Sequence, residues 1–229
     1  RRCEKSHLWF RAQRDPLKMN CVGIAHPWES GMDNSPAWDS ALARVDPGKA
    51  KPFERRDQNK VKDASSERPT DSQYNRYASL VTQIAQSPTF AASEEFFVYD
   101  PCMTALLAKA EDDLSLLAHA LGLLDVSQKA LARSNELMRG LEKKLWRPDL
   151  GKFVYFDAVG KVDVDVEVIG GYMPLCGPRL DESIARNLVS ALETRGYLNA
   201  HCPVPSVPPA EAYYEPCKYW RGPRRGNNN

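Results

Sequence analysis

The segment HPWESGMDNSPAWD, residues 26–39, gathers the groups from which a sugar site is made. Trp28 and Trp38 offer indole faces for the apolar faces of a ring, Asn34 offers an amide, and Glu29, Asp33 and Asp39 offer carboxylates for hydroxyls or for proton transfer. Asp33 stands just ahead of a helix start, where the helix dipole favours its anion. Only desolvation by neighbours such as Trp28 and Trp38 raises its pKa towards that of a proton donor, so two effects oppose each other there. Taken locally, Asp33 reads first as a cap. Trp28 and Trp38 read as core residues as readily as stacking platforms, and Glu29 reads equally as a solvated loop acid.

A second aromatic group, YWRGP at 219–223, follows the Pro-rich run PVPSVPP. Tyr219 and Trp220 beside Arg221 make either a stacking platform with a donor attached or the closure of a core. His26, His119 and His201 have no metal-ligand spacing among themselves. Asp163, Asp165 and Glu167 alternate as acids do on one solvated face of a strand, without the glycine-bearing loop of a calcium site. No metal and no cofactor is expected. The six cysteines lie far apart with no CxxC pair and read as free thiols.

The elements that must position these groups are helices. A short helix over 4–13 ends at the Arg14-Asp15-Pro16 turn, and Asn34 or Ser35 caps a helix that has Pro36 in its first turn and runs to about Val45. Residues 46–68 form a long surface excursion, rich in proline, glycine and charge. Thr70 or Asp71 caps a helix whose core face is Tyr74, Tyr77, Leu80, Val81 and Ile84. Asp100-Pro101 opens another, with Met103, Leu106, Leu107, Ala110, Leu114, Leu117, Ala118 and Leu121 on its apolar face; the helix over 127–146 follows so soon that the two must form a hairpin. Residues 150–168 alternate apolar and polar and read as an inserted β-hairpin, and helix resumes over 180–194. The fold class expected is all-α with a minor hairpin, in one domain spanning 1–229.

Composition narrows the partners. The 229 residues carry 31 Lys and Arg against 30 Asp and Glu, a net charge of +1, so no long-range field draws nucleic acid or anionic lipid. No run approaches the roughly 18 apolar residues of a membrane span. The basic tail at Arg221, Arg224 and Arg225 is too short for a nucleic-acid surface. A neutral small molecule fits this balance best, and oligomeric state is open.

Residues 26–39 also carry a resemblance. HPWESGMDNSPAWD resembles the general-acid segment of the (α/α)6 hydrolases grouped as mannosylglycerate hydrolase-like and glycoside hydrolase family 63 proteins. The likeness continues in RDP near Arg14, RPTDSQYNRY from Arg68, YDPCMTALL, PVPSVPP and YWRGP. It implies an incomplete (α/α)6 barrel and inverting hydrolysis of an α-glucosyl or α-mannosyl bond in a small glycoside. Asp33 is then the acid that protonates the leaving oxygen, Trp28, Glu29 and Asn34 line the sugar pocket, and Tyr219, Trp220 and Arg221 form an aromatic wall. In such enzymes the base is a Glu well beyond WRGP, so Arg1 in place of Met and the run GPRRGNNN read as ends cut from a longer chain, with the base missing. After Pro223 this sequence has Arg224, Arg225 and Gly226 where the family has an apolar residue and a Trp. The alternative is a carbohydrate-binding module derived from the same barrel and lacking catalysis.

Overall fold

The computed structural model describes residues 2–55, 64–87, 93–198 and 203–222. Pro223, His201, Cys202, Arg224 and Arg225 lie outside them, as does the 56–63 part of the excursion. The chain is mostly helical: α1 (Arg2–Gln13), α2 (Asp39–Ala43), α3 (Ala64–Glu67), α4 (Asp71–Gln86), α5 (Pro101–Ala120), α6 (Leu124–Gly140) and α7 (Glu182–Thr194). Short strands punctuate it: β1 (Gly23–Ile24), β2 (Val98–Tyr99), β3 (Trp146–Arg147), β4 (Lys152–Phe153), β5 (Tyr155–Asp157) and β6 (Val162–Val164). The alternating run 150–168 thus holds β4, β5 and β6, and β4 pairs antiparallel with β3, Trp146 opposite Phe153 and Arg147 opposite Lys152. Two compact units divide the chain: 1–23, 99–156 and 170–191 in one, 24–98, 157–169 and 192–229 in the other.

In the first unit local signals set the helix starts. Asp100 caps α5 by accepting from Cys102 N–H at 2.8 Å, and Pro101 fills the first turn, where an N–H has no helical partner anyway. The α5–α6 hairpin is antiparallel: Ser134 Oγ donates to Ala108 O at 2.8 Å, and Ser115 Oγ meets Ser127 Oγ at 3.1 Å nearer the connection. These short side chains let the helices approach closely, and that corrects the expected apolar face. Ala105, Leu107, Ala108, Glu111, Ser115 and Ala118 are buried, whereas Leu106, Leu117 and Leu121 are 46%, 57% and 66% exposed. A helix apolar on nearly every side does not reveal from its own sequence which stripe a neighbour will cover. In α1, likewise, Leu8 and Trp9 are exposed.

Asp100 carries a testable consequence. It is fully buried, its second carboxyl oxygen has no hydrogen-bond partner among the described residues, and burial pushes its pKa up to about 7, against hydrogen bonding to backbone N–H groups that lowers it. Between roughly pH 4, near the unfolded value, and pH 7 the folded chain therefore keeps a proton that the unfolded chain has lost. The stabilisation is complete below about pH 4 and disappears as pH rises to 7. The unfolding free energy from urea titrations should fall across that window with a slope of up to about 1.4 kcal/mol per pH unit. In Asp100→Asn, which retains the cap, this contribution to the slope should vanish.

In the second unit Thr70 caps α4 through a reciprocal box, its hydroxyl accepting from Gln73 N–H while Gln73 Oε1 accepts from Thr70 N–H. Tyr77 and Leu80 are buried as expected, but Val81 is exposed. The helix expected over 36–45 is a short 3-10 turn, Pro36–Trp38, followed by α2; Ser35 is its cap, its Oγ accepting from Ala37 N–H at 3.3 Å. Asp163 and Asp165 are exposed, but Glu167 is buried against Arg195 at 2.6 Å, so the three acids do not share one solvated face. Among the described residues no group of His, Cys, Asp and Glu could hold a metal ion, and Cys3, Cys21, Cys102, Cys176 and Cys217 are free thiols.

Candidate active site

The site residues named from the sequence all fall in the second unit. His26 starts their loop. It is buried, its Nδ1 accepts from Trp28 N–H at 3.0 Å, and its Nε2 lies 3.1 Å from Tyr77 O, so Nε2 carries the proton. Burial lowers its pKa to about 4, and the ring is neutral near pH 7. Pro27–Ser30 form one 3-10 turn, and Gly31 leaves it at φ 70°, a left-handed conformation that disfavours any residue with a Cβ. Glu29 turns back to accept from Ala25 N–H at 3.2 Å, and Ser30 Oγ accepts from Met32 N–H at 2.9 Å. This lattice of short bonds delivers Asp33 in a fixed place.

Tyr77 anchors the Asp33 backbone, and the next residue, Asn34, ties the loop to Tyr219. The Tyr77 hydroxyl donates to Asp33 O at 2.7 Å, and burial of that phenol raises its pKa and keeps it a donor. Asn34, buried, donates from Nδ2 to Tyr219 O at 3.1 Å. The Asp33 carboxyl itself is partly buried. Its pKa is raised, desolvation being the larger cause, against the Arg68 guanidinium and hydrogen bonds from the Asn34 and Asp33 N–H groups, which lower it. The opposition read from the sequence is therefore present, and desolvation wins.

Around this acid the aromatic groups separate into two kinds. Trp38 is 1% exposed with its Nε1 donating to Met32 O at 2.7 Å; it packs the loop from inside. Trp28 is 43% exposed and Tyr219 40%, so both rings present a face to solvent. Trp28 is braced by His26 at 4.6 Å, Tyr77 at 5.8 Å and Phe53 at 6.5 Å between ring centroids, and Phe53 stacks on Tyr74 at 5.1 Å. Trp220 is half-buried and takes φ 62°.

Arg221 stands differently from its aromatic neighbours. Its side chain is buried, Nε donates to Asn34 Oδ1 at 3.4 Å, Nη2 donates to Asp39 Oδ1 at 2.5 Å, and Glu215 lies 3.9 Å away. It is a strut between residues 219–222 and the acid loop. It also walls a cleft of about 400 Å³ with Asp39, Gln73, Arg76, Glu215 and Lys218; Asp33 is not among the residues lining that cleft.

Sequence reasoning gave Arg68 no site role beyond opening the family-like run RPTDSQYNRY, gave Tyr74 only a core-face place on its helix, and gave Phe53 none. Arg68 lies with its guanidinium carbon 4.8 Å over the Tyr219 ring, and among the described residues no carboxylate pairs with it. Tyr219 N–H donates to Glu67 O at 3.0 Å, which fixes the two segments together. The only local signal for Arg68 was its place ahead of Pro69 and the Thr70 cap; its partner lies more than a hundred residues away.

A partly desolvated acid and two exposed aromatic rings thus fall in one unit of a mostly helical chain. Residues 1–224 match the mannosylglycerate hydrolase MGH1-like glycoside hydrolase domain, and the chain belongs to that family. It is 36% identical over 95% of its length to the mannosylglycerate hydrolase of Thermus thermophilus, and 28% identical over 95% to the glucosylglycerate hydrolase of Mycolicibacterium hassiacum. A crystal structure of the glycoside hydrolase family 63 mannosylglycerate hydrolase from Thermus thermophilus, in complex with Tris and D-glycerate, superposes with TM-score 0.81 over 94% of this chain at 36% identity. The chain spans about half the length of the curated relatives it matches, 52% and 50% of the two named here, and 52% of that crystallised chain.

Proposed function

We propose that the chain is the acid-bearing part of an inverting glycosidase with an (α/α)6 barrel, one that cleaves an α-mannosyl or α-glucosyl bond in a small glycoside. Asp33 protonates the leaving oxygen. The observation that carries this is the coincidence of a raised carboxyl pKa at Asp33 with the exposed rings of Trp28 and Tyr219. Trp28 stacks on the sugar, Tyr219 and Trp220 form the facing wall, and Glu29, Asn34 and Arg221 serve the pocket mainly by holding it in shape. Their polar atoms already have partners within the protein.

Inversion requires a second carboxylate roughly 6.5–9.5 Å from the acid to activate water on the opposite sugar face. Asp39 and Glu215 are committed to Arg221, and Glu29 to Ala25 N–H. We assign the base to the part of the relatives that this chain does not span. The same consideration supports a second reading, in which these residues alone bind a glycoside without cleaving it. Titrating the chain with mannosylglycerate while following Trp fluorescence tests the site that both readings require. Saturable quenching that is lost in Trp28→Ala, with no sugar released, supports that site, and hydrolysis after the chain is joined to the missing portion of a relative then favours the glycosidase over binding alone. Released sugar would place a base within residues 1–229, and no saturable change would count against the site.

The names of the relatives point to a glycerate aglycone, and Arg68 is the cation placed to meet its carboxylate. Pairing there would also withdraw the positive charge that holds the Asp33 pKa down, so a charged aglycone would help to keep the acid protonated. Arg68→Gln should weaken binding of mannosylglycerate about 10- to 100-fold, the value of a charge-assisted hydrogen bond. Binding of the neutral glycerol glycoside should change less than about 3-fold. Equal losses on both ligands would remove Arg68 from aglycone recognition.

A further inference from the structure

A second charged site lies in the first unit and shares no residue with the candidate active site. Lys18, Asn20, Glu136, Arg139, Lys143 and Lys144 line a cavity of about 310 Å³. Glu136 is already bound to Arg11 at 2.7 Å, and among the described residues Lys18, Arg139, Lys143 and Lys144 have no carboxylate partner. Four uncompensated cations around one cavity in a chain of net charge +1 repel one another, and an anion in the cavity relieves that repulsion.

The walls are rigid. Asp15 accepts from Met19 N–H at 2.8 Å and Asn20 N–H at 2.9 Å, and the Tyr99 hydroxyl donates to it at 3.0 Å; this holds Lys18 and Asn20 at φ 54° and 55°. The opposite wall is the end of α6 and the π-helical turn Leu141–Leu145 that continues it. Gly140 joins the two walls, because a Cβ there would overlap the Asn20 carbonyl. A helix end favours cations through its dipole, which accounts for Arg139, Lys143 and Lys144. It does not account for Lys18, which reaches the same cavity from a separate loop.

We infer that this cavity is a binding site for a phosphate-bearing small molecule, with two phosphoryl groups preferred over one. A phosphate monoester carries about −1.5 to −2 near neutral pH, so one phosphoryl leaves about half of the four cations unmatched and two match them. The cavity has room for a diphosphate with some of its water. The assignment stands independently of the glycosidase reading, since it shares no residue with that site.

Pyrophosphate, orthophosphate and chloride are titrated into the chain by calorimetry at one ionic strength, with backbone amide shifts followed in parallel. Pyrophosphate should bind saturably, at least about ten times tighter than orthophosphate, and shift the amides of residues 18–20 and 139–145. The double variant Lys18→Gln/Lys143→Gln should lose at least about ten-fold in affinity. Lys109→Gln/Lys129→Gln, which removes the same charge from exposed ion pairs elsewhere, should retain the parental affinity. The inference is overturned by equal loss in both double variants, by amide shifts scattered over the surface, or by the absence of saturable binding.

Discussion

Asp33→Asn, in the chain joined to the portion of a relative that it does not span, is expected to lower hydrolysis of a mannosyl or glucosyl glycerate by about 10²–10⁴-fold, the range that general acid catalysis supplies. The substitution keeps the side chain's volume and its ability to accept from the N–H groups of Asn34 and Asp33, so the Tyr77 and Asn34 anchors should survive it. What it removes is the ionisable proton. The raised pKa gives the pH dependence its direction: activity governed by this acid should fall as pH rises through a value above the ordinary Asp range of about 3.9. Arg68→Gln should move that limb to higher pH, because the cation now favours the Asp33 anion.

The second large effect concerns stability rather than chemistry. Glu111 is completely buried in α5, and Arg133 of α6 donates to it from Nε at 2.6 Å and Nη2 at 2.9 Å, with His7 Nδ1 at 3.5 Å. Such a bidentate pair contributes little against a well-packed apolar replacement, but removing one partner leaves the other charge buried and alone. Glu111→Ala should therefore destabilise the chain by about 3–5 kcal/mol, a large part of the 5–15 kcal/mol typical of a domain. Glu111→Gln, which keeps one acceptor for the guanidinium, should cost less. Replacing both residues by apolar ones of similar volume should restore much of the loss. Urea midpoints at fixed pH measure all three, and a loss below about 1 kcal/mol in Glu111→Ala would show that Arg133 finds other compensation.

Helix starts were legible because their causes are local. Asp100 with Pro101, Thr70 with Gln73, and Ser35 with Pro36 each satisfy N–H groups within four residues, so the sequence alone contains the whole interaction. The face a helix buries was less legible. Serines and alanines of α5 lie inside and several leucines outside, a choice made by how closely α6 approaches. At the site, the loop's mixture of residue types stood out, but taken locally Asp33 read as a cap, a place that Ser35 takes in the fold, and the acid role proposed for Asp33 came from the family resemblance. Arg68, Phe53 and Tyr74 could not be named for the site, because their roles come from contacts such as Arg68 on Tyr219 that close only in the folded chain. Arg221 was read as part of an aromatic wall; its burial against Asn34 and Asp39 is a property of two segments, far apart in sequence, meeting.

The most direct test of Asp33 as proton donor compares two leaving groups. Residues 1–222 are joined to the portion of the Thermus thermophilus mannosylglycerate hydrolase that this chain does not cover, and the parental and Asp33→Asn forms are assayed on mannosylglycerate and on the matching mannosyl fluoride. Fluoride departs without needing a proton from the protein, whereas glycerate does not. With Asp33 as the proton donor, the loss is about 10²–10⁴-fold on mannosylglycerate and far smaller on the fluoride. An equal loss on both substrates would make Asp33 a structural residue, and no loss on mannosylglycerate would place the acid elsewhere.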